Sequence, residues 1–131
     1  MSDALSTIKG MTDQTAAKLK ANGVGNTDEL VAAALDQNDR RAFATKTGID
    51  VSHLGELVNR ADLARIKGIA GVYADMLENA GVDSVKELSH RVPANLQAKL
   101  DEVNTQHKMT TRVPNLEMVE DWVSQAKKLA R

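Results

Sequence analysis

The chain has 131 residues, of which 17 are basic and 18 acidic, and its formal net charge is -1. It contains no cysteine, which excludes a disulfide scaffold and a thiolate metal site. The near-neutral charge disfavours a strongly basic nucleic-acid binder. No apolar run approaches the roughly 18 residues of a membrane span, and no apolar segment follows Asp3 near the start. We therefore expect a cytoplasmic protein without a signal peptide.

The first half of the chain predicts helices separated by glycine. A helix start with capping chemistry lies at residues 26–29, and a short helix over residues 39–47 is expected to end at Gly48. Apolar positions then recur every three or four residues from about residue 52, with no breaker before Gly68. We predict one helix over about residues 52–67 that joins the two halves of the chain into one packed body.

The second half of the chain predicts four further helices. The first of these four helices is expected to end at Gly81, because glycine readily adopts the left-handed conformation of a residue after a last turn. The second helix is expected to start at residues 84–87, which form a capping box. Pro93 and Pro114 suit the first turns of the last two helices. The apolar residues at helical spacing on these two helices are predicted to face the core: Leu96, Leu100, Val103, Val119, Trp122, Val123, Ala126 and Leu129.

An internal repeat divides the chain. A shift of 58 residues aligns residues 5–30 with residues 63–88 without a gap, and ten of the 26 aligned pairs are identical. Because self-similarity at a fixed spacing marks tandem structural units, we predict two units, residues 1–62 and residues 63–131. The first unit holds seven basic and nine acidic residues and the second holds ten and nine, so their formal charges are -2 and +1.

Both units resemble the helix-hairpin-helix motif, whose pattern is apolar-x-x-apolar-x-Gly-apolar-Gly-x-x-x-Ala-x-x-apolar. The matching residues are Leu63, Ile66, Gly68, Ile69, Ala74 and Leu77 in the second unit, and Leu5, Ile8, Gly10, Met11, Ala16 and Leu19 in the first. Weaker hairpins follow at residues 48–50 and 112–114, so each unit is similar to the double helix-hairpin-helix domain. The whole chain resembles a family of small bacterial proteins in this superfamily. The resemblance implies an all-α, SAM-like array of tandem pseudo-symmetric units.

The resemblance also implies that backbone N–H groups of the hairpins contact a nucleic-acid phosphate. The residues to which this role carries over are Lys67, Gly68, Ile69, Ala70, Gly71, Lys9, Gly10 and Arg112. Thr12 and Ala70 depart from the family pattern, because each places a side chain at the second glycine position, and Asp13 would repel phosphate. We favour a structural interpretation over phosphate contact, with the two glycines as tight turns between packed helices and the two lysines as charges at helix ends.

No motif in the sequence predicts catalysis. The three histidines do not share a helix face, and adjacent acidic pairs such as Asp101 and Glu102 point in different directions. We therefore expect a non-enzymatic binding module without a cofactor, a metal or a small-molecule ligand. Two kinds of partner stay open. The near-neutral charge favours an unidentified protein partner for a scaffold module, whereas the resemblance favours weak, sequence-independent binding of a DNA or RNA duplex backbone, mainly by the second unit.

Overall fold

The computed structural model describes residues 4–69 and 72–129, and within those ranges it contains eight α-helices, one short 3-10 helix (Leu5–Thr7) and no strand. The α-helices are α1 (Asp13–Ala21), α2 (Thr27–Ala34), α3 (Gln37–Thr47), α4 (Val51–Leu63), α5 (Val72–Asn79), α6 (Val85–Ser89), α7 (Pro93–His107) and α8 (Leu116–Leu129). The all-helical class that the helix signals along the chain predict is therefore confirmed. The chain divides into two compact units, Met1–Asp62 and Leu63–Arg131.

The first unit packs around an aliphatic core to which α4 makes the largest contribution. Leu54, Leu57, Val58 and Ala61 recur at helical spacing on α4 and are all at most 1% exposed. The half-buried Phe43 lies at the edge of this core. Because short aliphatic side chains fill the interior, the helices of this unit pack without a central aromatic residue.

A buried arginine closes the C-terminal end of α2 in the first unit. Arg40 is 8% exposed, and its Nε donates to the carbonyl of Ala34 at 3.0 Å while Nη2 donates to that of Leu35 at 3.3 Å. These are carbonyls that the end of a helix leaves without an intrahelical partner. A Cβ on Gly55 of α4 would lie 3.2 Å from Nη1 of Arg40, so the glycine makes room for the guanidinium.

The second unit packs around Trp122, which is 2% exposed. The prediction that α7 and α8 turn their apolar residues inward is confirmed for seven positions, Leu96, Leu100, Val103, Val119, Trp122, Val123 and Ala126, each at most 3% exposed. The prediction is wrong for Leu129, which is 41% exposed at the last turn of α8. Helix ends fray and leave the core first, so a residue in helical register there does not have to be covered.

Most of the predicted helix ends are confirmed. Gly48 follows α3 with φ of 75°, and Gly81 follows α5 with φ of 90°, both left-handed conformations that favour glycine. Ser84 Oγ accepts a hydrogen bond from the N–H of Glu87 at 3.1 Å and so caps α6. Pro93 is the first residue of α7.

Two predicted helix boundaries differ from the structure. The helix predicted over about residues 52–67 ends at Leu63, because the N–H groups of Ile66 and Ile69 donate to carbonyls three residues earlier and wind the chain into tight turns. Pro114 does not lie in the first turn of α8, which begins at Leu116. Asn115 caps that helix instead, since its Oδ1 accepts from the N–H of Met118 at 2.8 Å.

Candidate functional site

The predicted hairpin of the second unit is a tight turn whose backbone groups bond within the unit. Gly68 has φ of 101°, a left-handed conformation in which residues with a Cβ are strained. The N–H of Ile69 donates to the carbonyl of Ile66 at 3.1 Å, and the Ile69 side chain is 2% exposed in the core. Ile69 is therefore a packing residue, and the main-chain donor that it could offer to a ligand is already used.

The peptide groups of Lys67 are bonded to a side chain of α8. Its N–H donates to Oε1 of Gln125 at 2.8 Å, and its carbonyl accepts from Nε2 of Gln125 at 3.1 Å. Nε2 also donates to Oδ2 of Asp121 at 2.8 Å, which fixes the orientation of the amide. The Gln125 amide therefore bonds both polar groups of Lys67, and no sequence signal pointed to it.

Two aromatic rings connect the turn to the segment that contains Arg112. A Cβ on Gly68 would lie 3.0 Å from Nε1 of Trp122, so the glycine packs against the indole. The ring of Trp122 is 5.5 Å from that of Tyr73, and the Tyr73 hydroxyl donates to the carbonyl of Arg112 at 3.0 Å. This chain of contacts holds the backbone at Arg112 next to the start of α5.

The matching turn of the first unit is closed by local contacts. Gly10 has φ of 92°, and the N–H of Met11 donates to the carbonyl of Ile8 at 3.1 Å. Thr12 Oγ1 accepts from the N–H of Thr15 at 3.1 Å and caps α1, whose first turn carries Asp13. The Thr12 hydroxyl therefore bonds a main-chain donor of this helix start.

The structure divides the predicted site residues into three sets. Lys67, Gly68, Ile69 and Arg112 belong to the second unit, where the contacts through Trp122 and Tyr73 bring them together. Lys9 and Gly10 belong to the first unit. The predicted residues Ala70 and Gly71 lie outside the described residues.

A shallow groove of about 570 Å³ opens between α3 and α4 in the first unit. Its lining comes from Arg41, Ala44 and Thr45 on α3 and from residues 48–51, and we call it the α3–α4 groove. Nζ of Lys18 on α1 lies 3.5 Å from the carbonyl of Gly48, at the edge of this groove. In each unit, the first α-helix therefore contacts a carbonyl of the weaker predicted hairpin. Lys18 of α1 contacts the carbonyl of Gly48, and Tyr73 of α5 contacts that of Arg112.

The imidazole of one histidine lies close to a hydroxyl. Nε2 of His53 is 3.4 Å from Oγ1 of Thr15, and Thr15 also accepts from the hydroxyl of Thr12 at 3.0 Å. Within residues 4–69 and 72–129, no group of three or more histidine, aspartate or glutamate side chains could hold a metal ion. In the same ranges, no helix combines the length and the apolar character that a membrane span requires.

Fold and site together define an all-helical protein of two compact units, each with a glycine turn before its first long helix. A family model described as "Domain of unknown function (DUF4332)" matches residues 9–129, and the chain belongs to this family. No curated protein and no solved structure matches the chain. The resemblance to helix-hairpin-helix proteins stays a prediction, since the family's description names neither that fold nor an activity.

Proposed function

We propose that the chain is a non-enzymatic protein-binding module of the double helix-hairpin-helix type. In this proposal the first glycine turn of each unit joins packed helices and does not bind phosphate. The observation that supports this most strongly is the pair of hydrogen bonds between Gln125 and the Lys67 peptide, at 2.8 and 3.1 Å. A phosphate needs free N–H groups at such a turn. Here a side chain of the same unit already bonds one of them.

The first unit supports the same proposal on electrostatic grounds. Thr12 bonds the N–H of Thr15, and the carboxylate of Asp13 lies in the same helical turn. A carboxylate at a helix start is itself stabilised by the helix dipole and repels a second anion. The unit carries seven basic and nine acidic residues, so its overall field also disfavours a polyanion.

A second candidate function, weak binding of a duplex backbone by the second unit, has one observation in its favour. The Tyr73–Arg112 hydrogen bond holds Arg112 next to the helix that follows the 67–69 turn, and both Lys67 and Arg112 are exposed. Two cations near one glycine turn could contact a phosphate by charge alone. We regard this as the alternative because the main-chain donors at Lys67 and Ile69 are already bonded.

A salt-dependent DNA titration separates the two candidates. Fluorescence anisotropy of a labelled duplex would be followed at about 50 mM salt with protein up to high micromolar concentration. The wild type would be compared with Lys67→Glu/Arg112→Glu and with a matched control, Lys86→Glu/Lys99→Glu, which makes the same charge change elsewhere in the second unit. The protein-binding proposal expects no saturable binding by any of the three. Saturable binding that weakens with salt and is lost in the first variant alone would overturn it.

Removing Gln125 tests the structural reason behind the proposal. Gln125→Ala frees the N–H of Lys67, so any residual phosphate affinity of the turn should increase in this variant. Gln97→Ala, which removes an amide bonded to the Pro114 carbonyl at 3.2 Å, is the matched control.

Affinity capture before and after nuclease digestion completes the test. A protein partner should survive digestion and be retained by the Lys67→Glu/Arg112→Glu variant.

A further inference from the structure

The α3–α4 groove carries a local positive charge inside a negatively charged unit. Arg41 lines it and Lys18 lies at its edge, and within the described residues neither side chain forms an ion pair. The single carboxylate in the lining, Asp50, has Oδ2 accepting from the N–H of His53 at 3.2 Å. The lining itself holds one cation, Arg41, and one carboxylate, Asp50, so the positive charge that favours an anionic ligand comes from Lys18 at the edge.

The groove also offers aliphatic surface. Val51 at the start of α4 is 44% exposed and is the exposed aliphatic side chain of the lining, whereas Ala44 and Ile49 are 7% and 6% exposed and belong to the core beneath it. The groove is shallow and open to solvent, so an occupant would lie along it with one side exposed. A suitable occupant therefore carries an aliphatic side chain with carboxylates beside it.

The beginning of α8 presents such a combination. Leu116 is 43% exposed, and Glu117 and Glu120 are exposed at one and four residues further along the helix. Residues four apart lie on the same helix face, so Leu116 and Glu120 are neighbours on the surface. Val119, three residues after Leu116, is buried, so Leu116 lies at the border between the buried and the exposed face of α8. Neither glutamate forms an ion pair within the part of the chain that the structure describes.

We propose that the α3–α4 groove docks the first turn of α8 from a second copy of this chain, with Leu116 on its aliphatic surface and Glu117 and Glu120 facing Arg41 and Lys18. This rests on the proposed protein-binding function and names its partner. The contact joins two different surfaces, so it is heterologous, and it produces closed rings or open chains according to the rotation between copies. One helical turn buries less than the roughly 1,200 Å² of a stable interface, so the association is weak and transient.

Sedimentation velocity of the full chain tests the proposal. The wild type would be measured from about 10 to 500 μM at about 25 and 300 mM salt, since the higher salt shortens the screening length to a few ångströms. The weight-average sedimentation coefficient should rise with concentration at low salt and much less at high salt. Arg41→Glu should abolish this rise, as should Glu117→Lys/Glu120→Lys. Lys46→Glu, an exposed change on α3 outside the groove lining, should leave it intact.

A charge swap makes the test specific for this pair of surfaces. Arg41→Glu and Glu117→Lys/Glu120→Lys should each be monomeric alone, but their mixture should associate, because each variant then offers a surface complementary to the other. Circular dichroism of each variant checks that it is folded. A wild type that stays monomeric at all concentrations, or a mixture that does not associate, would overturn the docking proposal. The proposed function would still stand in that case, since saturable DNA binding is what overturns it.

Discussion

The first turns of the two units share a left-handed glycine and the same hydrogen-bond spacing, but different side chains bond next to them. Gly10 and Gly68 share left-handed φ values of 92° and 101°, and each turn contains two hydrogen bonds between residues three apart. In the first unit Thr12, which follows the turn, caps α1 by accepting from the N–H of Thr15, three positions further along the chain. In the second, Gln125 closes the turn from 58 positions away. Two turns with the same glycine conformation therefore need not be stabilised by matching side chains. The stabilising hydrogen bond is local in the first unit and long-range in the second.

The largest effect is expected at the aromatic residue that distinguishes the second unit. Trp122→Ala removes a side chain that is 2% exposed and should lower the free energy of unfolding by about 3–5 kcal/mol. Phe43→Ala, which removes the half-buried aromatic of the first unit, should cost clearly less. Urea denaturation followed by circular dichroism measures both. Equal losses would contradict the view that only the second core depends on an aromatic residue.

Alanine at the two matched glycines should separate backbone strain from packing. Gly10→Ala should cost about 1–2 kcal/mol for the left-handed conformation alone, because its Cβ would meet only Leu57 Cδ2 at 3.9 Å. Gly68→Ala should cost about 1 kcal/mol more, because its Cβ would lie 3.0 Å from Nε1 of Trp122. Thermal and urea unfolding would measure the difference. If both substitutions cost the same, Trp122 does not constrain the turn.

The side chains that bond next to the two turns should differ less in their contribution. Gln125→Ala removes two hydrogen bonds to the Lys67 peptide and should cost about 1–2 kcal/mol. Thr12→Ala removes one helix cap and should cost about 1 kcal/mol. Urea unfolding measures both losses. Thr12→Ser is the control, since it keeps the capping oxygen and should be nearly neutral.

The smallest effect is expected where α3 and α7 end. Both helices end on a left-handed residue, which is Gly48 with φ of 75° in the first unit and Lys108 with φ of 48° in the second. Lys108→Gly should therefore stabilise the protein by about 0.5–1 kcal/mol. Gly48→Lys should destabilise it by about 1 kcal/mol. Melting temperatures that move in the same direction for both variants would contradict this account.

Local chemistry explains which parts of the fold were predictable. Gly48, Gly81 and Pro93 act on backbone conformation within one or two residues, so their roles at helix ends follow from sequence alone. The inward position of Trp122 follows from helical spacing. The end of α4 at Leu63 was missed because apolar periodicity continues to Ile66 although the backbone changes to tighter turns.

The contacts that define the candidate site were less predictable because they join distant positions. Neither the Gln125–Lys67 pair nor the Tyr73–Arg112 pair has a spacing signature, since 58 and 39 residues separate their members. The burial of Arg40 against the carbonyls of Ala34 and Leu35 also depends on the path of the chain between two helices. Charged and amide side chains suit many environments, so their partners emerge only from tertiary structure.

The separation of Lys67 and Gln125 along the chain also determines how early in synthesis their contact can form. A ribosome adds about 5–20 residues per second, so Gln125 is added roughly 3–12 s after Lys67, 58 positions earlier in the chain. Until then the 66–69 turn lacks the amide that holds its peptide in the finished protein. The first unit has no such wait at its turn, since Thr15 follows Thr12 within a second. The turn of the second unit therefore acquires its closing amide only after nearly all of that unit has been synthesised.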